Sequence, residues 1–430
     1  MADSTSKPIT FDLLKSLMEG DAVAIRGTAM LEPAGGPGDK VFPPTHSVDE
    51  RRAATRYASE KRRIGGQEVE CVLLDSVQSQ ANRMEEALQV LWEDKKLALP
   101  VISVDFSSAA PEIGVVTSLT APHRVADALL RDSLINGTLF RLSDIGRSFT
   151  YATAKNAAPL FKVCPTGLVF GLWDSTGPKG GLGSKFARAL TSEIVGVGAT
   201  FGVKTASRID PASIVTSAGP VLVAMEPDPD GKPTWTLDVM AAKPLDPKKP
   251  PKDGNDVSAV EKWGDGQKAG KPTSINHSNI PPSIDTLAGG VTIDYALHTV
   301  VFSLAALRKL NFGGGDIEAR TVLTALGLLA VLAAENRGHD LRSRCLLVPK
   351  EGKALTLQFV HRDGTTGSLS LDLEGAIKLF NAAVGALPES LRFSKAPGEP
   401  LATLTPSPKL SALVKKSREL AATGAAIEEE

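Results

Sequence analysis

Apolar positions along this chain switch repeatedly between a strand rhythm and a helix rhythm. Residues 11–20 have the spacing of a short helix, and Ala22 to Met30 alternates as a strand does. Val69 to Asp75 predicts another strand. From Ser76 the apolar residues take helical spacing through Met84, Leu88 and Leu91. Val101 to Phe106 reads as a strand. Thr120 to Arg124 leads into a helix from about Val125 to Leu134, with Pro122 suited to a first turn. Leu139 to Tyr151 fits either a strand or a mobile segment. Two apolar runs, Leu168 to Trp173 and Ile194 to Val203, have strand length, as do Val221 to Met225 and Val291 to Leu304. Residues 316–336 predict an apolar helix stopped at Asn336 and Gly338. Residues 342–348 and 354–360 read as a pair of strands, with His361 to Gly364 as a turn. Leu373 to Leu387 reads as an amphipathic helix.

Strands and helices mix without a regular βα alternation, which predicts an α+β fold rather than a doubly wound sheet. A four-stranded βαββαβ palm is consistent with this order. Residues 226–289 break the pattern: they are rich in proline, sparse in apolar residues, and carry lysine and aspartate but no arginine. Such a segment is expected to be a mobile insertion that cannot bury enough surface to fold alone. Residues 31–68 read as a smaller insertion. The expected division is therefore 1–225 and 290–408 as parts of the palm, 226–289 as the insertion, and 409–430 as a tail.

Composition changes this picture little. Lys+Arg is 48 and Asp+Glu is 49, for a formal net charge of −1 over 430 residues. A nucleic-acid binder with that balance must segregate its cations onto one face. The cysteines Cys71, Cys164 and Cys345 are far apart and lack metal-ligand spacing, so a reduced, cytoplasmic setting is expected. The polar start has no signal-peptide pattern, and Thr321 to Ala334 is too short to span a bilayer, so it reads as a buried helix.

The candidate chemistry centres on Gly167 to Pro211. Asp174, Ser175 and Thr176 precede a loop carrying Gly177, Lys179, Gly180, Gly181 and Gly183, and Ser184 is placed to cap a helix through Arg188 and Leu190. Strand, glycine loop and helix start would form an anion cradle, with Lys179, Lys185, Arg188, Lys204 and Arg208 as cations. The spacing is neither that of a P-loop nor G-x-G-x-x-G. A plain glycine-rich turn fits the composition equally well. A second polar cluster, Ser76, Gln78, Ser79, Gln80, Asn82 and Arg83, sits at a strand-to-helix junction. It suits helix capping and sugar–phosphate contact alike. His123 and Arg124 stand at another helix start, where Arg124 is the better phosphate ligand. The basic run over residues 51–63, with Tyr57 inside it, reads as a solvated helix face or as a phosphate-tracking arm with an aromatic for stacking.

Three segments make the chain recognisable. GLVFGLWDSTGPKGGLGSKFARALTSEIVGVGA with SRIDP after it, LLDSVQSQANRMEEAL at 73–88 and LTAPHRVADALLRDS at 119–133 resemble the backbone subunit of the type I-U (I-G) CRISPR Cascade complex. That subunit belongs to the RAMP superfamily. The resemblance implies an RRM/ferredoxin-like palm of RAMP type elaborated by large insertions. It implies a non-catalytic protein that binds CRISPR RNA, stacks in further copies along the guide, and meets the target DNA strand and other Cascade subunits. It favours Ser76, Gln78, Gln80, Asn82, Arg83, His123, Arg124, Ser175, Thr176, Gly177, Lys179, Gly180, Gly181, Lys185, Arg188 and Arg208 as RNA contacts. No metal, cofactor or membrane partner is expected, and no catalytic dyad stands out. The alternative is an enzyme holding a phosphorylated substrate on the glycine loop, with Asp174 or Asp210 as base and His123 as acid, or an RNA endonuclease relying on one of those aspartates.

Overall fold

Helix α1 (Phe11–Glu19) is capped by Thr10, whose hydroxyl accepts from the Leu13 N–H, and buries Leu14, Leu17 and Met18. This computed structural model describes residues 7–49, 53–176, 183–229 and 231–422. Strand β1 (Ala22–Pro33) alternates buried and half-buried positions as its sequence pattern requires. Strands β2 (Ser59–Ile64) and β3 (Gln67–Asp75) form a hairpin, with Ile64 opposite Gln67. Its two-residue turn is Gly65–Gly66, both with positive φ, the turn that matches strand twist. The second half of the basic run is therefore a strand and not a helix face, because this glycine pair closes it onto β3.

Helix α2 (Val77–Glu93) starts on Ser76, whose Oγ accepts from the Ser79 N–H. The chain returns to the sheet much later as β4 (Leu190–Val197) and β5 (Tyr295–Ser303), which pair antiparallel along their whole length. Helix α3 (Asp316–Arg337) follows, with Asp316 and Glu318 in its first turn and Arg337 in its last, charges that complement the helix dipole. Then come the hairpin β6 (His339–Arg342) and β7 (Cys345–Pro349), the hairpin β8 (Thr356–His361) and β9 (Thr366–Ser370), and α4 (Leu373–Gly385). The two strands expected to pair with each other instead both pair with β1, over its C-terminal and N-terminal halves respectively.

The large sheet thus runs β9-β8-β1-β5-β4-β3-β2, antiparallel at each of these steps. The four strands β8-β1-β5-β4 lie at its centre, and α2 and α3 pack together on one face. Along β5, Ala296, His298, Val300 and Phe302 point to that face and are buried. Helix α3 is apolar all round because α1, α2, α4 and the sheet surround it. It is long and apolar enough to cross a membrane by length and composition, and most of it is buried in this core. The Phe302 ring occupies the space where a Cβ on Gly327 would sit. Gly327→Ala should therefore lower stability by about 1–3 kcal/mol through overpacking, despite alanine's better helix propensity. A urea titration giving a midpoint at or above the parent's would contradict this packing argument.

A second, five-stranded sheet is built from Ile102–Asp105, Val115–Thr117, Ser133–Ile135, Thr138–Leu139 and Ala402–Pro406. The helix expected over 125–134 is only two short turns, Arg124–Ala126 and Ala128–Arg131, before the chain turns into this sheet. Leu139 to Tyr151 is mostly helical, over Phe140–Leu142 and Asp144–Thr150.

Two units divide the chain. The first holds everything above, residues up to Gly202 and from Gly290 to Lys415. Beyond β4 and before β5 its backbone narrows to a neck: Thr200–Phe201 pair with Val291–Thr292, and the Gly202 N–H donates to the Gly290 carbonyl at 2.8 Å. The second unit begins at Val203 and runs to Gly289, with the C-terminal residues from Lys416. In it Lys204–Arg208 pairs with Ile280–Asp285, and Leu222–Val223 pairs with Trp235–Thr236. Leu222, Val239, Ala242 and Val260 form a small buried cluster. Three of these four residues come from the segment 226–289, which was expected to bury too little surface to fold alone.

Candidate nucleic-acid interface

The cradle predicted for Gly167 to Pro211 is built differently from its expectation. Thr166–Val169 is a helical turn, so only Leu172–Trp173 of the first apolar run is extended. Leu172–Trp173 pairs antiparallel with Lys185–Phe186, and the Asp174 N–H donates to the Ser184 carbonyl at 2.9 Å. Ser184 caps no helix. Its Oγ is buried within 2.9–3.0 Å of the carbonyls of Phe149, Thr150 and Ala152, a long-range demand that local spacing does not reveal. The glycine loop therefore joins two strands. The helix-dipole part of the anion argument falls with the missing helix. Gly177, Lys179, Gly180 and Gly181 lie outside the described residues.

A cleft of about 450 Å³ opens beside this hairpin. Gln78 and Asn82, one turn apart and exposed on α2, form one side of it. Exposed His123, Ser175 and Lys185 and half-buried Arg188 contribute to the rest. Seven of the residues expected to touch RNA, with Arg124 behind the others, thus converge from three separate stretches of sequence. Trp173 joins them with its side chain 55 % exposed, and the Lys185 Nζ lies 5.2 Å from its ring centroid. The only hint of this in the sequence is an indole at the polar end of an apolar run. Thr176 is exposed next to Ser175, in the turn that leaves the cleft.

The cations here divide into committed and available. Arg124 is buried and binds Glu85 through two hydrogen bonds of 2.7 Å, while its third nitrogen donates to the Gly171 carbonyl at 3.1 Å. Burial pushes the Glu85 carboxyl up to about 7 while the Arg124 guanidinium pulls it down. All three nitrogens of the Arg124 guanidinium thus donate inside the protein, which speaks against the expected phosphate contact. Arg188 crosses Gly171, where a Cβ would lie 2.8 Å from the Arg188 Cγ. Burial, then the neighbouring Arg124 charge, lowers the Arg188 pKa, and no carboxylate pairs with it among the described residues. Among the described residues, Arg188 and Lys185 are the positive charges of the cleft without a carboxylate partner.

The α2 junction is likewise mostly structural. Gln80 is buried and donates to Asp75 at 2.7 Å, and Arg83 donates to the same carboxylate at 3.0 Å and to the Leu341 carbonyl. Asp75 is wholly buried, so half-buried Arg83 serves to pair it, a structural duty that the expectation of an RNA contact did not include. Ser76 is spent on the helix cap. Arg208 belongs to the second unit and donates to the His277 and Ser278 carbonyls. Tyr57 is buried, stacked on Phe201, with its hydroxyl accepting from the Gly290 N–H, so it offers no ring to a base.

Both aspartates weighed as catalytic bases are also engaged. Asp174 is buried and paired through both oxygens with Arg141, whose guanidinium lies 4.8 Å from the Phe149 ring centroid. Asp210 accepts from the Ser278 and Ala212 N–H groups at 2.8 Å.

Residues 25–201 match the family model described as CRISPR-associated protein GSU0053. That span runs from β1 to the neck and contains every residue of the cleft. Over those residues the resemblance of the sequence to a CRISPR-associated protein is borne out. Among solved structures the chain is similar to the crystal structure of Thermofilum pendens Csc2, at 10% identity, covering 95% of this chain and 80% of that one with a TM-score of 0.26. A superposition this loose establishes no shared fold. No curated protein matches the chain.

Proposed function

We propose that this protein is the CRISPR RNA-binding backbone subunit of a type I-U/I-G Cascade complex, working in the cytoplasm. In this reading several copies stack along the guide, each holding a few nucleotides and displaying their bases to the target DNA strand, with other Cascade subunits completing the particle. Sequence would then be read by base pairing and not by the protein, so no catalytic group is needed. The observation that carries the reading is the cleft between α2 and the Leu172–Trp173 hairpin. It combines an exposed indole, two uncommitted cations, and amide, hydroxyl and imidazole donors. Single-stranded nucleic acid is held by that combination of an aromatic stacking platform and cations on the backbone. Further support comes from the order of elements. Strand β1, helix α2, strands β4 and β5, helix α3 and strand β8 follow one another in sequence, with sheet order β8-β1-β5-β4. With β2–β3 and β6–β7 as additions and the second unit inserted between β4 and β5, this order supports reading the sheet as a βαββαβ palm of the RRM/ferredoxin-like type.

The test is to purify the protein alone and with its operon neighbours, then measure the ratio of absorbance at nucleic-acid and protein wavelengths and extract any RNA. Co-purifying RNA of defined length is the expected result. A bound nucleotide without RNA would favour the phosphorylated-substrate enzyme instead.

A further inference from the structure

Away from the cleft, at the C-terminal end of α3, three chemically active side chains converge. His298 projects from β5, Glu335 from the last turn of α3, and His339 from the start of β6 just past Gly338. One ligand atom from each lies within 4.8 Å of the others. His298 Nδ1 is 3.1 Å from Glu335 Oε1, and His339 Nε2 is 3.5 Å from Glu335 Oε2. The group sits on the wall of its own cavity, of about 250 Å³.

A chain of hydrogen bonds sets which His298 nitrogen donates to Ser192. Asp75 is a carboxylate flanked by Arg83 and Arg342, so the Gln80 amide nitrogen must face it, at 2.7 Å. The Gln80 oxygen then accepts from the Ser192 hydroxyl at 2.8 Å. With its proton so used, Ser192 Oγ can only accept from His298 Nε2, also at 2.8 Å. A neutral His298 therefore presents a lone pair at Nδ1. That atom is buried and has no hydrogen-bond partner, although the Glu335 carboxylate stands beside it. Two lone-pair atoms at 3.1 Å repel unless a cation lies between them or a proton sits on the ring.

We propose that His298, Glu335 and His339 form a binding site for one divalent transition-metal ion of the zinc class. Two imidazoles and a carboxylate are the donor set that such ions prefer, and three protein ligands leave a fourth position for water. Ligand atoms around a tetrahedral ion with bonds of about 2.05 Å stand roughly 3.3 Å apart; the two His–Glu335 distances, one to each carboxylate oxygen, are 3.1 and 3.5 Å, and one ligand atom from each residue lies within 4.8 Å of the others. The Ser192–Gln80–Asp75 chain supplies the second layer that orients a metal-bound imidazole. The spacing of the sequence hides the site, because one ligand comes from a strand far upstream of the other two. The ion would tie the end of α3 to β5 and β6, independently of whether the protein binds RNA.

The experiment uses the full-length protein stripped with a chelator and titrated with zinc chloride by calorimetry, with thermal melting alongside. One equivalent should bind, and Tm should rise with zinc. His339→Ala and the shape-conserving Glu335→Gln should each weaken zinc binding by about 100-fold, and Ser192→Ala by about tenfold. Cobalt(II) in place of zinc should give a visible ligand-field spectrum without a thiolate charge-transfer band, since the three buried cysteines stand outside the cluster. The proposal is overturned if the parent binds no zinc or is not stabilised by it. It is equally overturned if folded His339→Ala and Glu335→Gln proteins bind as the parent does, or if cobalt gives a thiolate band.

Discussion

Arg124→Ala is expected to destabilise the first unit by about 3–5 kcal/mol, since it strands Glu85 as a buried carboxylate without its partner. The Glu85 side chain is 1% exposed, so solvent cannot replace the guanidinium. Three donor bonds disappear together, including the one that holds the Gly171 carbonyl under the cleft. Lys185→Ala, at the same cleft but exposed, should stay within about 0.5 kcal/mol of the parent. Chemical denaturation of both variants distinguishes a buried pair from a surface cation. Adding Glu85→Gln to the Arg124→Ala background should recover part of the loss, because a neutral amide costs less to bury than a carboxylate. A loss below about 1 kcal/mol for Arg124→Ala would remove the argument that this arginine is committed to the fold.

The second large effect is expected in RNA affinity. Trp173→Ala should weaken binding of unrelated single-stranded RNAs alike by about 1–3 kcal/mol, the worth of one stacked base. Lys185 and Arg188 would each neutralise one phosphate. Replacing either by alanine should lower the slope of log affinity against log salt by about 0.7, so the double variant falls by about 1.4. Together the three substitutions amount to a loss of roughly 100-fold or more at moderate salt. Both readouts come from one set of titrations at several salt concentrations. Circular dichroism checks that the variants fold. An unchanged salt slope in the Lys185→Ala/Arg188→Ala protein, or discrimination among RNAs by the Trp173→Ala protein, contradicts backbone holding at this cleft.

Periodicity made the strands β1, β3, β4 and β5 and the helices α2 and α4 legible, because each buries a face set by its own local spacing, and α3 was legible as a long, continuously apolar run. What stayed hidden depends on partners far along the chain. Arg83 and Arg124 looked alike as cations at helix starts, yet each answers a buried carboxylate that local sequence does not single out, Asp75 and Glu85. Ser184 has the chemistry of a cap, but carbonyls more than thirty residues upstream claim its hydroxyl. The basic run became a strand through Gly65–Gly66, a hairpin signal outweighed by the apparent charge pattern. In the cleft, Gln78, Asn82, His123 and Lys185 were legible because an exposed polar residue at a junction has few structural duties. Trp173 was not, since an aromatic in an apolar run ordinarily belongs to a core.

The neck between β4 and β5 has a consequence for how this chain can change. Gly202 and Gly290 face each other across one hydrogen bond, so whatever is threaded between them enters and leaves the sheet through a single gate. Closing that gate grows costlier only slowly with the length of the insert, by about 0.6 kcal/mol for each doubling. The position is a socket: a short linker, a folded reporter or a different accessory module can be plugged in while the strands on either side keep their register. Tagging the protein there, and not at its ends, would leave the sheet and the cleft as they are.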